Sequence, residues 1–224
     1  MINKTSLSDF VNKIQEREPF AFSRWGDGEW QSVLGRDTGT NCDRHKYFPQ
    51  MGAELREVLT TRPQYMLGMQ NFTLSGKLGP KVLKWLDEAG LNDIYWYNAD
   101  VFHYAAIRNK LDSLIEILNT VPVIVVGPDH LKRLKSTIPF LAFVDVPPQN
   151  AYLSLRRILR DTLSILEART DYCVVSISAS MPAEILIDRI AKTSVGKEHA
   201  LVDFGSLWDP YVGVKSRSYM RKKK

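Results

Sequence analysis

The stretch DYCVVSISASMPAEILIDRI, residues 171–190, changes its hydrophobic period halfway along. Its first eight residues form an apolar, β-branched run of strand length. Ser180 and Pro182 then suit a helix entry, Ser180 as N-cap and Pro182 in the first turn. Residues 181–194 read as the helix itself. A strand that passes through a short turn into a helix is half of a parallel crossover unit, so the fold depends on whether the chain repeats it.

The unit recurs throughout. Strand-length runs appear at PFAFSRW (19–25), QYMLGMQ (64–70), DIYWYN (93–98), VPVIVVG (121–127), PFLAFVDV (139–146) and HALVDFG (199–205). Helical spacing appears at about 6–17, 51–61, 79–90, 103–119, 129–136 and 150–168. The first of these follows Ser6, with Asp9 placed for a capping box. The longest sets Leu155, Ile158, Leu159, Thr162 and Leu166 on one face. Strands alternating with helices of this length imply a sheet covered on both sides. The expected architecture is therefore α/β, Rossmann-like and doubly wound, with a mostly parallel sheet and helices on both faces. Ligands in such sheets bind beyond the carboxyl ends of the strands.

Composition sets limits on this picture. The 224 residues are 44% hydrophobic and 25% charged, ordinary globular values, and no linker, repeat or low-complexity segment divides them. One domain spanning 1–224 is expected. The first residues have no signal-peptide core, and VPVIVV (121–126) is too short to cross a bilayer, so a cytoplasmic location is expected, a host's cytoplasm if the gene is a phage's. Cys42 and Cys173 fit no zinc spacing and are read as reduced thiols. The net charge of +5 is partly concentrated in KSRSYMRKKK, a basic tail at about 215–224. Such a tail suits an anionic surface or serves as a solubilising end.

GDGE (26–29) directly follows the strand FAFSRW and so occupies a ligand-binding position. Asp27 and Glu29 repel each other unless a positive group lies between them, and a divalent cation with oxygen ligands is the usual answer. Gly26 and Gly28 are read as permitting a sharp turn that brings both carboxylates, or their backbone N–H groups, onto one ligand. A plain surface turn would need the same glycines.

Other strand ends carry polar groups. Ser178 and Ser180 precede one helix, Gly127 and Pro128 another, and each helix entry offers N–H groups to phosphate. The loop QNFTLSGKLGP (70–80) presents Asn71, Ser75 and Lys77, without Walker spacing, and no dinucleotide fingerprint is present anywhere. The last strand leads into Asp203, Asp209, Arg217 and Tyr219. Arg217 and Arg24 are candidates to neutralise a diphosphate beside a metal. His103, near Asp100, is a candidate base or a packed histidine.

RWGDGEW resembles the R-[FW]-G-D-G-E signature of the GT-D type glycosyltransferases. The turn VGP (126–128), VPPQNAY (146–152), the serine-rich turn before AEILIDRI, and LVDFGSLWDPY with SRSY follow in that family's order, from about residue 19 to 219. One departure is Ser178-Ala179-Ser180, where relatives often have glycine. The resemblance implies a hexosyltransferase using a UDP-sugar, of glucose or a related hexose, with Mn²⁺ or Mg²⁺. It implies Asp27 and Glu29 at the metal. Arg24 and Lys77 would screen phosphate, and Gly26, Gly28, Ser75, Ser178, Ser180 and Arg217 would contact the nucleotide. Candidates for the base are Asp100, His103, Asp203 and Asp209. The acceptor is a sugar hydroxyl on a glycan or glycoprotein, or a hydroxymethylated pyrimidine in phage-type DNA, which the basic charge permits. Two other classes stay open. One is a non-catalytic nucleic-acid binder using Arg156, Arg157 and Arg160, and the other is a metal-dependent nucleotide phosphohydrolase.

Overall fold

Most strand positions are apolar, and in the computed structural model, which describes residues 2–216, the alternation of side chains along each strand divides the core between two sides of one sheet. The strands are β1 (Ile2–Asn3), β2 (Phe20–Trp25), β3 (Met66–Met69), β4 (Trp96–Asn98), β5 (Val123–Gly127), β6 (Ala142–Asp145), β7 (Val174–Ile177) and β8 (Ala200–Asp203). They lie in the order β1-β4-β3-β2-β8-β7-β5-β6, and every ladder is parallel.

Even and odd positions of each strand face opposite layers. Trp25, Met69, Val126, Ile177 and Leu201 pack with α2 (Asp27–Val33), α3 (Pro49–Thr60), α5 (Gly79–Glu88), α8 (Leu155–Glu167) and α9 (Ala183–Ala191). Phe22, Val125, Val174 and Val202 pack with α1 (Leu7–Gln15), α6 (Val101–Ile107), α7 (Asp112–Leu118) and a tight 3₁₀ stretch, Asp129–Ser136. Aromatic contacts anchor both layers. Trp30 of α2 is fully buried, with ring centroids 5.9 Å from each of Trp25, Trp85 and Trp96. On the other side Phe10 meets Phe22 edge-on at 4.8 Å.

All seven expected strands are present. The eighth, β1, is a two-residue edge pairing with Trp96 and Tyr97, too short to show a period. The expected helix over 103–119 is two helices, because Asn109 takes φ +52° and Lys110 N–H returns to Ala105 O, which closes α6. The expected helix over 150–168 begins as a 3₁₀ turn, Ala151–Ser154, before α8 starts. Two short helices occupy segments read as turn or loop: α2 over the first motif and α4 (Asn71–Ser75) in the 70–80 segment. Among the described residues no helix is long and apolar enough to cross a membrane.

Gly68 marks the tightest strand approach beside the motif. A Cβ there would lie 2.7 Å from the Phe22 ring and 3.0 Å from Ser23 O. Gly68→Ala should cost about 1–3 kcal/mol through overpacking, read as a lower urea midpoint with an unchanged m-value.

Candidate active site at the switch point of the sheet

β2 continues through α2 and α3 to β3 on one side, whereas its other neighbour, β8, is reached from β7. Connections thus diverge between β2 and β8, and a crevice opens beyond their carboxyl ends. It is a pocket of about 540 Å³, lined from the ends of β2, β3, β4, β7 and β8 and from the 41–43 loop. A second cleft, about 450 Å³, lies at the amino ends of β2, β3 and β4, and its one acidic lining residue is Glu18.

The first wall is the motif. Gly26 caps α2, and its N–H donates to Glu29 Oε2 at 2.9 Å. Neither motif glycine has positive φ, so the expected sharp turn is not their role. They are needed for their missing side chains: a Cβ on Gly26 would lie 2.3 Å from Gln70 Oε1, and one on Gly28 would lie 3.2 Å from Met181 Cγ. Residues two apart on a helix do not share a face. The acids accordingly divide, with Glu29 turned back to its cap and Asp27 exposed without a hydrogen bond among the described residues.

Beneath the motif the charges converge. Burial pushes the Glu29 pKa up to about 7, and Asp203 and Asp27 add to the effect. Glu184, in the first turn of α9, is 1% exposed, and its Oε2 has no hydrogen-bond partner among the described residues. Burial, then the Glu29 and Asp203 charges, raise its pKa well above the carboxylate range, against a smaller pull from Arg24. Arg24 bridges the switch point. It donates from Nη1 to Phe204 O at 3.0 Å, and its Nε lies 3.9 Å from Asp203 Oδ2. Asp203 in turn accepts the Gly205 N–H at 2.8 Å. Gly205 has φ +53°, and a Cβ there would approach Arg24 Nη1 to 2.8 Å.

Asp100 and His103 stand on the second wall with Gln70 and Phe72. Asp100 Oδ2 accepts two bonds from Asn71, from N–H at 2.9 Å and Nδ2 at 3.0 Å. This carboxylate fastens α4 to the end of β4 and is poorly placed to serve as a base. The third wall is the loop around Asn41, whose Nδ2 donates to Ser180 Oγ at 3.1 Å. Ser180 is not the N-cap that the sequence suggests. It sits at φ +58°, Pro182 caps α9, and glycine would occupy that backbone region without strain.

The remaining candidates lie apart. Ser75, the last residue of α4, and Lys77 beyond it are exposed, and Ser178 is buried; none lines the pocket. Asp209 pairs with His130 Nε2 at 2.8 Å, also outside it. Arg217, Tyr219 and most of the basic tail lie outside the described residues. Nothing in the periodicity singled out Glu184, although an acid inside the apolar run AEILI was a signal. Asp43 and Phe72 gave no signal before the loops were placed.

Among the described residues no three acidic, histidine or cysteine side chains form a closed metal cage. The donor set instead fits a hard cation that keeps waters and shares itself with phosphate oxygens, because such ions need only one or two carboxylates. Asp27 has free carboxylate oxygens, and Glu29 stands beside it.

No protein-family model matches the chain, and no curated protein matches it. Three solved structures share its fold. A glycosyltransferase from Streptococcus sanguinis containing domain of unknown function 1792 superposes with a TM-score of 0.70 at 15% identity, over 94% of this chain and 84% of that one. A selenomethionine-substituted structure of the same domain gives 0.65 at 15% identity, over 94% and 80%. A third, described as having a distinct glycosyltransferase fold, gives 0.63 at 14% identity over the same shares. At such identities the likeness establishes the fold, and it is the one the motif resemblance implied.

The raised Glu29 pKa has a measurable sign. Between 4.5 and about 7 the folded chain holds a proton that the unfolded chain has lost, so this group's contribution to stability falls as pH rises through that window. Glu29→Gln, whose amide oxygen still accepts the Gly26 N–H, should gain on wild type from about pH 5 to about pH 8, by at most about 3 kcal/mol. Urea midpoints of the two proteins across that range check it, and parallel curves would show that Glu29 titrates normally.

Proposed function

We propose that the chain is a metal-dependent glycosyltransferase that moves a hexosyl group from a UDP-sugar to the hydroxyl of a neutral glycan. One observation carries the reading. The pocket presents five carboxylates, Asp27, Glu29, Asp43, Asp100 and Asp203, against a single arginine, Arg24, among the described residues. A nucleotide diphosphate enters such a pocket only with a cation that reverses the local sign. The fold shared with glycosyltransferase structures supports the same reaction class.

Asp27, with Glu29, would hold Mn²⁺ or Mg²⁺, which when bound neutralises the charge that develops on the departing diphosphate. The protein's own residues do the rest. Arg24, fixed by Phe204 O and screened by Asp203, directs its remaining N–H groups toward phosphate oxygens. Asn41 and Ser180 close the far wall. Two groups on the pocket wall are able to take the acceptor's proton, His103 and Asp203. His103 is assigned the role, because imidazole is the side chain that most often serves as general base and Asp203 is held against the Gly205 N–H.

The acidic lining does not favour a DNA acceptor. Two of the α8 arginines are also engaged: Arg157 Nη1 lies 3.3 Å and Arg160 Nη2 2.8 Å from Asp161. Product identity separates the phosphohydrolase, since a transferase releases intact UDP and a hydrolase releases inorganic or sugar phosphate.

The test measures UDP release from a panel of UDP-sugars with Mn²⁺. Asp27→Asn should lower release by roughly a hundredfold or more. It should leave the melting temperature near wild type, because Asp27 is exposed and makes no hydrogen bond among the described residues. Undiminished release in Asp27→Asn, or in wild type stripped with EDTA, would overturn the metal assignment. His103→Ala should lower turnover while UDP affinity holds, and loss of both together would remove His103 from the role of base.

A further inference from the structure

Phe72 lines the pocket and is nonetheless 53% exposed. Folding does not bury this ring, yet the chain fixes its position. Phe72 sits in the first turn of α4, where Asp100 grips the preceding Asn71 through both its N–H and its side-chain amide. Asn71 Nδ2 also donates to Asn98 Oδ1 at 3.1 Å, and Gln70 N–H donates to Trp25 O at 3.2 Å. The same wall carries His103, whose ring centroid lies 5.9 Å from that of Tyr104, itself 42% exposed. On this side the pocket wall thus carries the Phe72 and His103 rings. Elsewhere its lining mixes the apolar Phe102, Phe204 and Leu207 with polar groups, the Asp27, Asp43 and Ser206 oxygens among them.

A pyranose ring has matching chemistry. Its axial C–H face is apolar and packs on an aromatic ring, while its rim carries hydroxyl donors for carboxylate and hydroxyl oxygens. A nucleobase gains from cover on both faces. Phe72 covers one face and leaves the other to solvent, which suits a sugar that continues into a longer glycan. We infer that Phe72 is the platform on which the acceptor's sugar ring stacks, so that the acceptor is a neutral pyranoside presented at the pocket mouth. The inference rests on the transferase reading for the word acceptor, but ring binding itself is measurable without turnover.

The experiment is titration of methyl pyranosides (glucoside, galactoside and N-acetylglucosaminide) into wild type, Phe72→Ala and Phe72→Trp, by saturation-transfer NMR. It is run with and without UDP and Mn²⁺. At least one pyranoside should bind wild type, bind Phe72→Ala about tenfold more weakly, and bind Phe72→Trp within about threefold of wild type. That loss should fall on the sugar and not on UDP. Equal pyranoside affinity in the three proteins, or none for wild type in either condition, overturns the inference. So does a loss of UDP affinity as large as the loss of sugar affinity, since Phe72 would then stack on the base. Absence of UDP binding to wild type refutes the proposed transferase alone, and the pyranoside arm still reads Phe72.

Discussion

Like charges meet at the carboxyl ends of β2 and β8, and the rest of the pocket is arranged around that repulsion. The Glu29 charge raises the proton affinity of Glu184, Asp27 raises that of Glu29, and Asp203 adds to both. Three groups answer part of the charge: the Gly26 N–H on Glu29, the Gly205 N–H on Asp203, and Arg24 between the two strands. None of them reaches Asp27, which is left to solvent. Protonating the buried carboxyls and binding a cation are alternative solutions to one electrostatic problem. The first operates in the free protein, and under the proposed function the second would become available when an anionic ligand brought a metal with it.

The parallel topology makes this convergence possible. Arg24 and Asp203 are far apart in sequence, yet β2 and β8 are ladder neighbours running in one direction, so their carboxyl ends open onto the same crevice. The motif helix is held by its apolar side. Trp30 is enclosed by Trp25, Trp85 and Trp96 and donates its indole N–H to Met69 Sδ at 3.2 Å. With that ring fixed, α2 cannot rotate to bring both acids outward together. The missing side chain at Gly28 lets Met181 lie against the helix, and the motif meets the turn before α9 without a gap.

This division explains what the sequence made legible. Strands were readable because both faces of the sheet are buried, so each gave a dense apolar run, and the helices of the outer layers gave a 3.6-residue period. α2 was not, because seven residues with two acids and Gly28 in the first turn, behind a Gly26 cap, read equally well as a turn. The address of Asp27 could be read from strand order alone. The opposite orientations of Asp27 and Glu29 could not, because they depend on which face Trp30 buries. Asp100 was visible as an acid after a strand, but the two bonds that make it a fastener come from Asn71, whose approach only tertiary structure fixes.

Charge gives the sharpest instance of the same limit. The chain carries a net +5, which at the level of composition favours a polyanionic partner, yet its pocket is strongly acidic. Net charge sums over the whole surface, whereas recognition responds to the few groups within a Debye length of the ligand. Arg157 and Arg160 show where part of the basic excess goes, into contacts with Asp161 and, from Arg157, a 2.8 Å bond to Asp145 O. A polyanionic acceptor would bring its phosphates toward Asp27, Asp43 and Asp203, and the single cation of the donor complex would have to offset both molecules. A neutral ring meets no such repulsion. On the proposed reading its hydroxyls would find acceptors in the carboxylate oxygens that would exclude a phosphate, and its apolar face would find Phe72, which folding leaves about half uncovered at the pocket wall.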